Sequence, residues 1–473
     1  MYESEESMRK ETMEYNYDWN IWTIMENASK SRDGSVKEYE NLIRYVPNFK
    51  GILEAFIKQG EPGIKFLKLV AKYTNDCLTA RERGKKLAIT TFCFSGTILY
   101  AMDIQPISVE PWTVFGTFVL KRGTAEYLDY TSELGFTETS CSAQRGFLGA
   151  ALGGLSVRPD FAIMDTAGVC DSNANSFSFL STYLDIPLFQ LNYPPTLTGE
   201  KARDYHRADF KALISFLEEQ TGKKLDVSRL KETLEESKKQ DELSIELMDL
   251  QSLVPSPMPP IFDLMVYAGK FMMSGKKELT ELLQSMVNKV KENAKQGISG
   301  THSGKEKIRA LMCYIDHYTT DARFWQWMDE QDISSTSILY NFWQKGSIVA
   351  RGHELDGYSI DTTNFDTMLD SLAAQNSRQP MIKQIRGPYD SPSMWLDDTA
   401  AMAKVMNVDM IIYIGTMGCR NTWGMVKPFT RDLEKMGYPT LVVFADAFDD
   451  RVASWETVRD KISEFIKVRK IKS

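Results

Sequence analysis

Short apolar runs that close on small or polar residues recur along this chain, as buried parallel β-strands do where they reach their loops. Seven segments show the pattern: KKLAITTFCFSG, RPDFAIMDTAGVCDSNAN, YLDIPLFQLNYPP, KIRALMCYID, GSIVARGHE, VDMIIYIGTMGCRNTWG and YPTLVVFADAFDD. Helical patterns such as SFSFLSTYLD, SMWLDDTAAMAKVMN and VKPFTRDLEKMG separate most of them. This alternation predicts βαβ units, and therefore an α/β protein with parallel sheets.

Helical patterns fill two further stretches of the chain. The first mixes charged and apolar positions up to Gly84, and the second extends over residues 207–300. The VPSPMPP stretch interrupts the second one, and ISGTHSGKEK closes it. We therefore predict four parts, and the two α/β domains are expected to be Rossmann-like or flavodoxin-like. The parts are a helical N-terminal segment (1–84), a first α/β domain (85–206), a helical segment (207–300) and a second α/β domain (301–473).

The charge of the chain limits its partners. The 473 residues carry a formal net charge of -8, which argues against non-specific binding to nucleic acid, since that needs clustered cationic charge. The opening MYESEESMRKETMEYNYDW is too charged for a secretory signal, and no stretch reaches about 18 uninterrupted apolar residues. We expect a cytoplasmic protein without nucleic-acid or membrane partners.

The six cysteines narrow the candidate chemistry. No two of them form a CxxC pair, which excludes zinc fingers, thioredoxin-like motifs and the clustered ferredoxin pattern. The four histidines show no HExxH spacing, so we interpret them as ordinary surface or core residues. Two cysteines lie inside helical or strand patterns and are predicted to be buried packing residues. These are Cys77 and Cys313.

Three other cysteines are placed where a site would form. In parallel sheets the ligand site lies outside the carboxyl ends of the strands. Cys170 follows the strand FAIMDTAGV and Cys419 follows the strand MIIYIGTMG, one in each α/β domain. Cys141 precedes a small-residue helical run, and a helix N-terminus favours thiolate. Cys93 is a fourth candidate near a strand end. Small thiols also occupy buried strand ends, so spacing alone leaves metal binding open.

The cysteine-bearing segments resemble a known family. RPDFAIMDTAGVCD, IPLFQLNYPP and DMIIYIGTMGCRNTWGMVKPFTRDLEKMGYPTLVVFADAFDDR follow, in order and spacing, the pattern of the 2-hydroxyacyl-CoA dehydratase and benzoyl-CoA reductase family. The likeness extends from about residue 85 to about residue 465. It implies a subunit with two α/β domains and an oxygen-sensitive [4Fe-4S] cluster. The implied cluster ligands are Cys141, Cys170 and Cys419, which leaves the fourth iron open.

The resemblance also implies partners and a reaction. Members work as pairs of homologous subunits, and a separate ATP-hydrolysing activator with its own iron-sulfur cluster delivers one electron at very low potential. The electron would generate a ketyl-type radical from the acyl-CoA thioester. This radical allows removal of a β-hydrogen after loss of the 2-hydroxyl, or stepwise reduction of an aromatic ring. The chain itself contains no GxxxxGK[ST] phosphate loop, which agrees with a separate activator.

One segment departs from the family pattern. Many members carry a Pro-x-Glu-Leu-like turn after the first strand, whereas this chain reads ITTFCFSGTILYAMD and has Thr97 in the place of the glutamate. Thr90, Thr91 and Ser95 keep hydroxyls near the expected substrate carbonyl. We predict Thr91 and Ser95 as the catalytic hydroxyl donors. The alternative for both is a hydroxyl satisfied locally at a strand end.

Four residues that follow the last two strands have two interpretations. Asn421 and Trp423 would line the acyl pocket or pack the following helix. Asp446 and Arg451 would help to form the site or cap and pair within a loop, and the loop interpretation is favoured.

The sequence leaves three functions open, together with one alternative that needs no cofactor. The first is a catalytic subunit of an ATP-activated (R)-2-hydroxyacyl-CoA dehydratase, which forms the enoyl-CoA. The second is a subunit of a benzoyl-CoA reductase type enzyme, and the third is an electron-relay or structural partner subunit, which the missing glutamate favours. This alternative is an α/β protein without an iron-sulfur cluster.

Overall fold

The fold is given by a computed structural model of the chain. It describes residues 49–91, 94–113, 123–153, 157–165, 170–193, 199–313, 322–337, 358–377, 394–416, 418–419, 424, 426–446 and 448–472. The predicted strand GSIVARGHE lies outside these residues, as do Cys93, Asn421 and Trp423.

The first sheet has four parallel strands in the order β2-β1-β3-β4. Its strands are β1 Leu87–Thr90, β2 Gln105–Ser108, β3 Phe161–Asp165 and β4 Leu188–Leu191. The second sheet repeats this arrangement in the order β6-β5-β7-β8. Its strands are β5 Ile308–Met312, β6 Ile333–Ser337, β7 Met410–Thr416 and β8 Thr440–Ala445. The order matches the first four strands of flavodoxin-like sheets. The predicted α/β class with two parallel-sheet domains is therefore confirmed.

Burial distinguishes β4 and β8 from the other strands. β1, β3, β5 and β7 are buried at every position, which explains their continuous apolar runs, because helices cover both faces of such a sheet. β4 and β8 lie at the edges and are partly exposed; Phe444 of β8 is an example. The short strands β2 and β6 read QPIS and ISSTS. Their sequences carry no apolar run, so the sequence pattern does not predict them.

Helices surround and connect the sheets. In the described residues they are α1 Phe49–Ile57, α2 Glu61–Leu78, α3 Thr97–Ala101, α4 Gly123–Glu133, α5 Ser142–Leu152, α6 Asp171–Leu184, α7 Glu200–Thr221, α8 Val227–Gln251, α9 Phe262–Met273, α10 Lys277–Gln296, α11 Ala322–Glu330, α12 Phe365–Ser377, α13 Met394–Val405, α14 Val426–Lys435 and α15 Trp455–Val468. Cys77 of α2 and Cys313 after β5 are buried, as predicted.

The helices between the sheets join the two halves of the molecule. α8 begins after Asp226, whose side chain accepts the N–H of Ser228, and α10 ends at Gly297 with a φ of 65°. These two helices pack against each other. α9 is buried along most of its length and contacts both β2 and β6. The helical layer is therefore in contact with both sheets.

Arg309 anchors this layer to the second sheet. Its side chain is 1% exposed, and its guanidinium donates to the carbonyl of Met406 at 2.8 Å and to that of Ser252 at 3.3 Å. Glu306 balances the charge at 2.8 Å. A planar guanidinium with five donors suits such a junction.

The predicted domain boundaries stay predictions. β1 begins at Leu87 and β5 at Ile308, close to the predicted starts of the α/β domains, and α7 continues through the predicted boundary at 206/207. Within the described part of the chain, no helix is long and apolar enough to cross a membrane.

Candidate functional site

Two of the three predicted cysteines cap helices. Cys141 directly precedes α5, and Cys170 directly precedes α6. The N–H of Asn173 donates to Cys170 Sγ at 3.5 Å, so this sulfur takes the place that a hydroxyl or carboxylate oxygen usually occupies in an N-cap. Cys419 follows β7, and its N–H donates to the carbonyl of Thr416 at 2.9 Å. Cys141 is buried, whereas Cys170 and Cys419 are half-buried.

A glycine brings the two sheets together at these cysteines. A Cβ on Gly418 would lie 2.5 Å from the carbonyl oxygen of Ser140 and 2.9 Å from the Cα of Cys141. Only a residue without a side chain allows this approach. The loop after β7 therefore touches the backbone before α5, and Cys419 and Cys141 lie on either side of the contact.

The three thiols are close enough to influence one another. Burial raises the pKa of Cys141 well above its usual value, and the charges of Cys419 and Cys170 raise it further. Burial also raises the pKa of Cys170; the N–H of Asn173 lowers it, and Cys419 raises it. We expected the helix N-terminus to favour the thiolate of Cys141. The helix end is where it was predicted, but burial and the neighbouring thiols outweigh its effect.

The donor set consists of three thiols, which are the ligands that iron-sulfur clusters use. Among the residues that the structure describes, no group of three or more His, Cys, Asp or Glu side chains is arranged to hold one metal ion. A four-iron cluster binds each thiolate through a different iron, so its ligands stand farther apart than those of one ion. Three neighbouring thiolates would repel each other, and the cationic irons of a cluster would supply the opposite charge. The chemistry of the three side chains therefore fits this cofactor.

Asp446 links the end of β8 to the start of α5. Ser142 Oγ donates to Asp446 Oδ1 at 2.5 Å, and the N–H groups of Phe448 and Asp449 donate to the same oxygen at 2.9 and 3.2 Å. Burial raises the pKa of Asp446 to about 6, and the bond from Ser142 opposes the shift. Asp446 thus caps its own loop, as favoured from the sequence, and it also reaches the residue next to Cys141.

Arg451 strengthens the same junction. Its Nε donates to Asp449 Oδ1 at 2.7 Å, and its Nη1 donates to Asp129 Oδ1 of α4 at 2.7 Å. The loop after the last strand is therefore paired both within itself and with the first half of the chain.

Glu110 is a buried carboxyl group near the cysteines that the sequence pattern does not indicate. It lies two residues after β2, at the carboxyl edge of the first sheet, and is 4% exposed. Gln144 Nε2 donates to Glu110 Oε1 at 2.8 Å. Its charge is among the influences that raise the pKa of Cys170, so the carboxyl group lies near that thiol. Because the short strand β2 carries no apolar run, nothing in the sequence marked Glu110 as a residue at a strand end.

Thr91 lies directly after β1 and is engaged by a carboxylate. Its Oγ1 donates to Asp165 Oδ2 at 2.9 Å, and the hydroxyl of Tyr193 donates to Asp165 Oδ1 at 2.8 Å. Burial raises the pKa of Asp165 to about 6, although both hydrogen bonds lower it. Thr90 is buried as well. The catalytic role of Thr91 stays a prediction, and its hydroxyl hydrogen is given to Asp165 in this arrangement.

Ser95 is half-buried in the loop before α3 and is held by the second half of the chain. Its N–H donates to Asn376 Oδ1 of α12 at 2.8 Å. Its Oγ lies 2.8 Å from Thr97 Oγ1, so the residue in the family's glutamate position contacts the predicted catalytic serine directly. Thr97 is fully buried. The catalytic role of Ser95 stays a prediction.

Residues 92–468 match the family described as 2-hydroxyglutaryl-CoA dehydratase, D-component. The chain belongs to this family. The matched range contains the three cysteines, Glu110 and Ser95, and it begins one residue after Thr91. The resemblance inferred from the cysteine-bearing segments is thus confirmed.

Two characterised relatives are similar to part of the chain. The (R)-2-hydroxyisocaproyl-CoA dehydratase alpha subunit of Clostridioides difficile is 27% identical over 254 residues, which are 52% of this chain and 61% of the relative. The (R)-phenyllactyl-CoA dehydratase alpha subunit of Clostridium sporogenes is 26% identical over 279 residues, which are 56% of this chain and 66% of the relative. The chain therefore covers less than two thirds of the length of either relative.

Proposed function

We propose that this chain is a subunit of an ATP-activated dehydratase that converts a (R)-2-hydroxyacyl-CoA to the enoyl-CoA. The observation that supports this most is the contact of Gly418 with Ser140 and Cys141, because it brings the loop that carries Cys419 against the backbone at Cys141. Membership of the dehydratase family supports the reaction, and so do the names of the two relatives. Both relatives are named for 2-hydroxyacyl-CoA substrates, which favours dehydration over the reduction of an aryl-CoA.

The three cysteines are the residues we assign to a [4Fe-4S] cluster. Cys141 and Cys170 would present their sulfurs from helix N-termini, and Cys419 would present its sulfur from the loop after β7. When bound, the cluster would supply one electron at low potential. The buried surroundings of Cys141 exclude water, and exclusion of water protects reactive intermediates.

Two further residues would act on the substrate. Dehydration breaks the C2–O bond and one C3–H bond, forms the C2=C3 double bond and releases water. Glu110 is the buried carboxyl group near Cys170, and we assign it to hold and move the proton. Ser95 would donate a hydrogen bond to the thioester carbonyl oxygen, where negative charge develops.

The proposed partners follow from the family. A homologous second subunit would complete the enzyme, and both relatives are named as alpha subunits. A separate ATP-dependent activator with its own iron-sulfur cluster would deliver the electron. The chain has no phosphate-loop motif of its own, which supports a separate activator.

A relay subunit is the second candidate, and one observation favours it. Thr97 replaces the family's glutamate and is buried, so its hydroxyl offers the substrate no charge. In that case the partner subunit would bind the acyl-CoA, and this chain would only pass electrons.

Turnover by the anaerobic complex separates these functions. The complex with its partner subunit, activator and ATP is supplied with (R)-2-hydroxyacyl-CoA thioesters or with benzoyl-CoA, and enoyl-CoA formation is recorded. We expect enoyl-CoA from the 2-hydroxyacyl substrates, and a loss of about 100-fold in kcat/KM for Ser95→Ala and Glu110→Gln. Unchanged turnover in both variants would favour the relay subunit. Reduction of benzoyl-CoA alone would contradict the dehydratase.

A further inference from the structure

Four hydroxyl groups form a continuous chain inward from Ser95. Ser95 Oγ lies 2.8 Å from Thr97 Oγ1, Thr97 Oγ1 lies 3.2 Å from Ser274 Oγ, and Ser274 Oγ lies 3.4 Å from Ser237 Oγ. Either oxygen can donate in each of these pairs. The hydroxyls come from the first α/β domain, from the end of α9 and from α8, so no local sequence signal connects them.

A buried amide lies at the inner end of this chain of hydroxyl groups. Gln375 Nε2 of α12 donates to Ser237 Oγ at 2.6 Å. Ser237 and Gln375 are 1% and 4% exposed, respectively. An amide nitrogen can only donate, so Ser237 must accept this hydrogen bond.

Tyr358, on the other side of the amide, favours the same orientation. Tyr358 is buried and hydrogen-bonds to both Asp241 and Gln375. Asp241 Oδ1 lies 3.4 Å from Lys270 Nζ, and a carboxylate oxygen accepts hydrogen bonds. Tyr358 therefore gives its hydrogen to Asp241 and accepts one from Gln375. Both neighbours of Gln375 accept a hydrogen bond in this arrangement, so its NH₂ group lies between them, and its oxygen is buried with no hydrogen-bond partner among the described residues.

With the amide in this orientation, the hydroxyl groups donate their hydrogen bonds in one direction. If Ser237 accepted from both Gln375 and Ser274, its own hydrogen would have no acceptor among the described residues, at a buried position where such loss is costly. In the opposite direction every buried hydrogen is donated: from Ser237 to Ser274, on to Thr97 and on to Ser95. The remaining hydrogen is then on Ser95, at the half-buried end of the chain.

We propose that Gln375 is a positioning residue that makes Ser95 a hydrogen-bond donor toward the carbonyl oxygen of the acyl-CoA thioester. The inference rests on the proposed function, since it names how the same site holds its substrate. Asn376, the next residue of α12, fixes the main chain of Ser95. Asn376 thus fixes the position of Ser95, and Gln375 sets the direction in which its hydroxyl donates. Thr97, which stands in the position of the family's glutamate, links Ser95 to the other hydroxyl groups.

A double-mutant cycle tests this role in the anaerobic complex with its partner subunit and activator. Gln375→Met removes the donor at similar volume, and Ser237→Ala breaks the next link by a small deletion. Each is combined with Ser95→Ala. The matched control is Gln251→Met, because Gln251 is also a buried amide but donates to the carbonyl of Ser335 at 2.7 Å, away from the chain of hydroxyls. The measurement is kcat/KM for a (R)-2-hydroxyacyl-CoA.

We expect Gln375→Met and Ser237→Ala each to lower kcat/KM about tenfold, and to have no further effect once Ser95 is alanine. Gln251→Met should keep the wild-type value. Equal behaviour of Gln375→Met and Gln251→Met, or a full further loss in the Ser95→Ala background, would overturn the inference and leave the dehydratase intact. A wild-type complex that neither binds nor converts acyl-CoA would remove the proposed function, and the inference with it.

Discussion

Asp165 shows how a single buried carboxyl group is balanced in this protein. It ends β3, and its two oxygens accept hydrogen bonds from Thr91 and Tyr193. Two neutral donors do not replace the water that a carboxylate loses on burial, so the pKa rises to about 6. Ionisation of Asp165 therefore lowers the free energy of unfolding at neutral pH.

This cost predicts a pH dependence of stability. The folded pKa is higher than the unfolded pKa of about 3.9. The contribution of Asp165 is thus fully present below the unfolded pKa and is lost as the pH rises through about 6. Asp165→Asn keeps an acceptor but cannot ionise. Between pH 5 and pH 8 we expect the free energy of unfolding of wild type to fall by about 1 kcal/mol more than that of the variant. Urea unfolding at both pH values measures it, and equal pH slopes would contradict the assignment.

At the scale of elements, the site depends on how closely the loop after β7 approaches the start of α5. Gly418 makes this approach, and Ser142 and Asp446 add a hydrogen bond beside it. The two elements are distant in the chain, so the contact depends on the tertiary structure.

A methyl group at Gly418 should separate the cysteines. In Gly418→Ala the new Cβ meets backbone atoms of Ser140 and Cys141, which cannot rotate away. We expect a loss of about 1–3 kcal/mol in stability and less iron bound per chain after anaerobic purification. Gly424→Ala is the matched control, because a Cβ at Gly424 meets nothing within 4 Å. If both variants bind iron like wild type, the contact does not hold the site together.

Elements with a strong local pattern could be predicted from the sequence. β1, β3, β5 and β7 are apolar runs because they are buried on both faces, and Cys170 and Cys419 are predicted as site residues because they follow two of them. β2 and β6 have short or polar sequences, and their pairing with β1 and β5 decides their structure. Glu110 was missed together with β2.

Contacts between distant segments could not be predicted, since they leave no periodic signal. The hydrogen bonds from Ser142 to Asp446 and from Gln375 to Ser237 each join residues more than a hundred positions apart. Single polar residues at such positions look like ordinary loop or helix residues in the sequence.

At the scale of the whole molecule, the two sheets are joined through the helical layer. α9 contacts both sheets, and Arg309 connects the end of α8 with β5 and the end of α13. A charge so fully buried is tolerated because Glu306 and three carbonyl groups surround it.

Removing the charge of Arg309 should destabilise the contact between the helical layer and the second sheet. Arg309→Met leaves Glu306 buried without its cation, and we expect a loss of about 3–5 kcal/mol in the free energy of unfolding. Arg431→Met is the control, since Arg431 pairs with Asp432 at the surface and its loss should cost less than about 1 kcal/mol. Thermal or urea unfolding compares the two. Similar losses in both variants would mean that Arg309 does not anchor the helical layer.

The central claim is that the cysteines of two sheets hold one iron-sulfur cluster, and iron and acid-labile sulfide analysis after anaerobic purification tests it most directly. Wild type is compared with Cys141→Ser, Cys170→Ser and Cys419→Ser, and with Cys77→Ser as a control at a buried cysteine inside helix α2. We predict a brown wild type with about four irons per chain, retained in the control and lost in each of the three variants. A colourless, iron-free wild type, or iron that survives all three substitutions, would contradict the account.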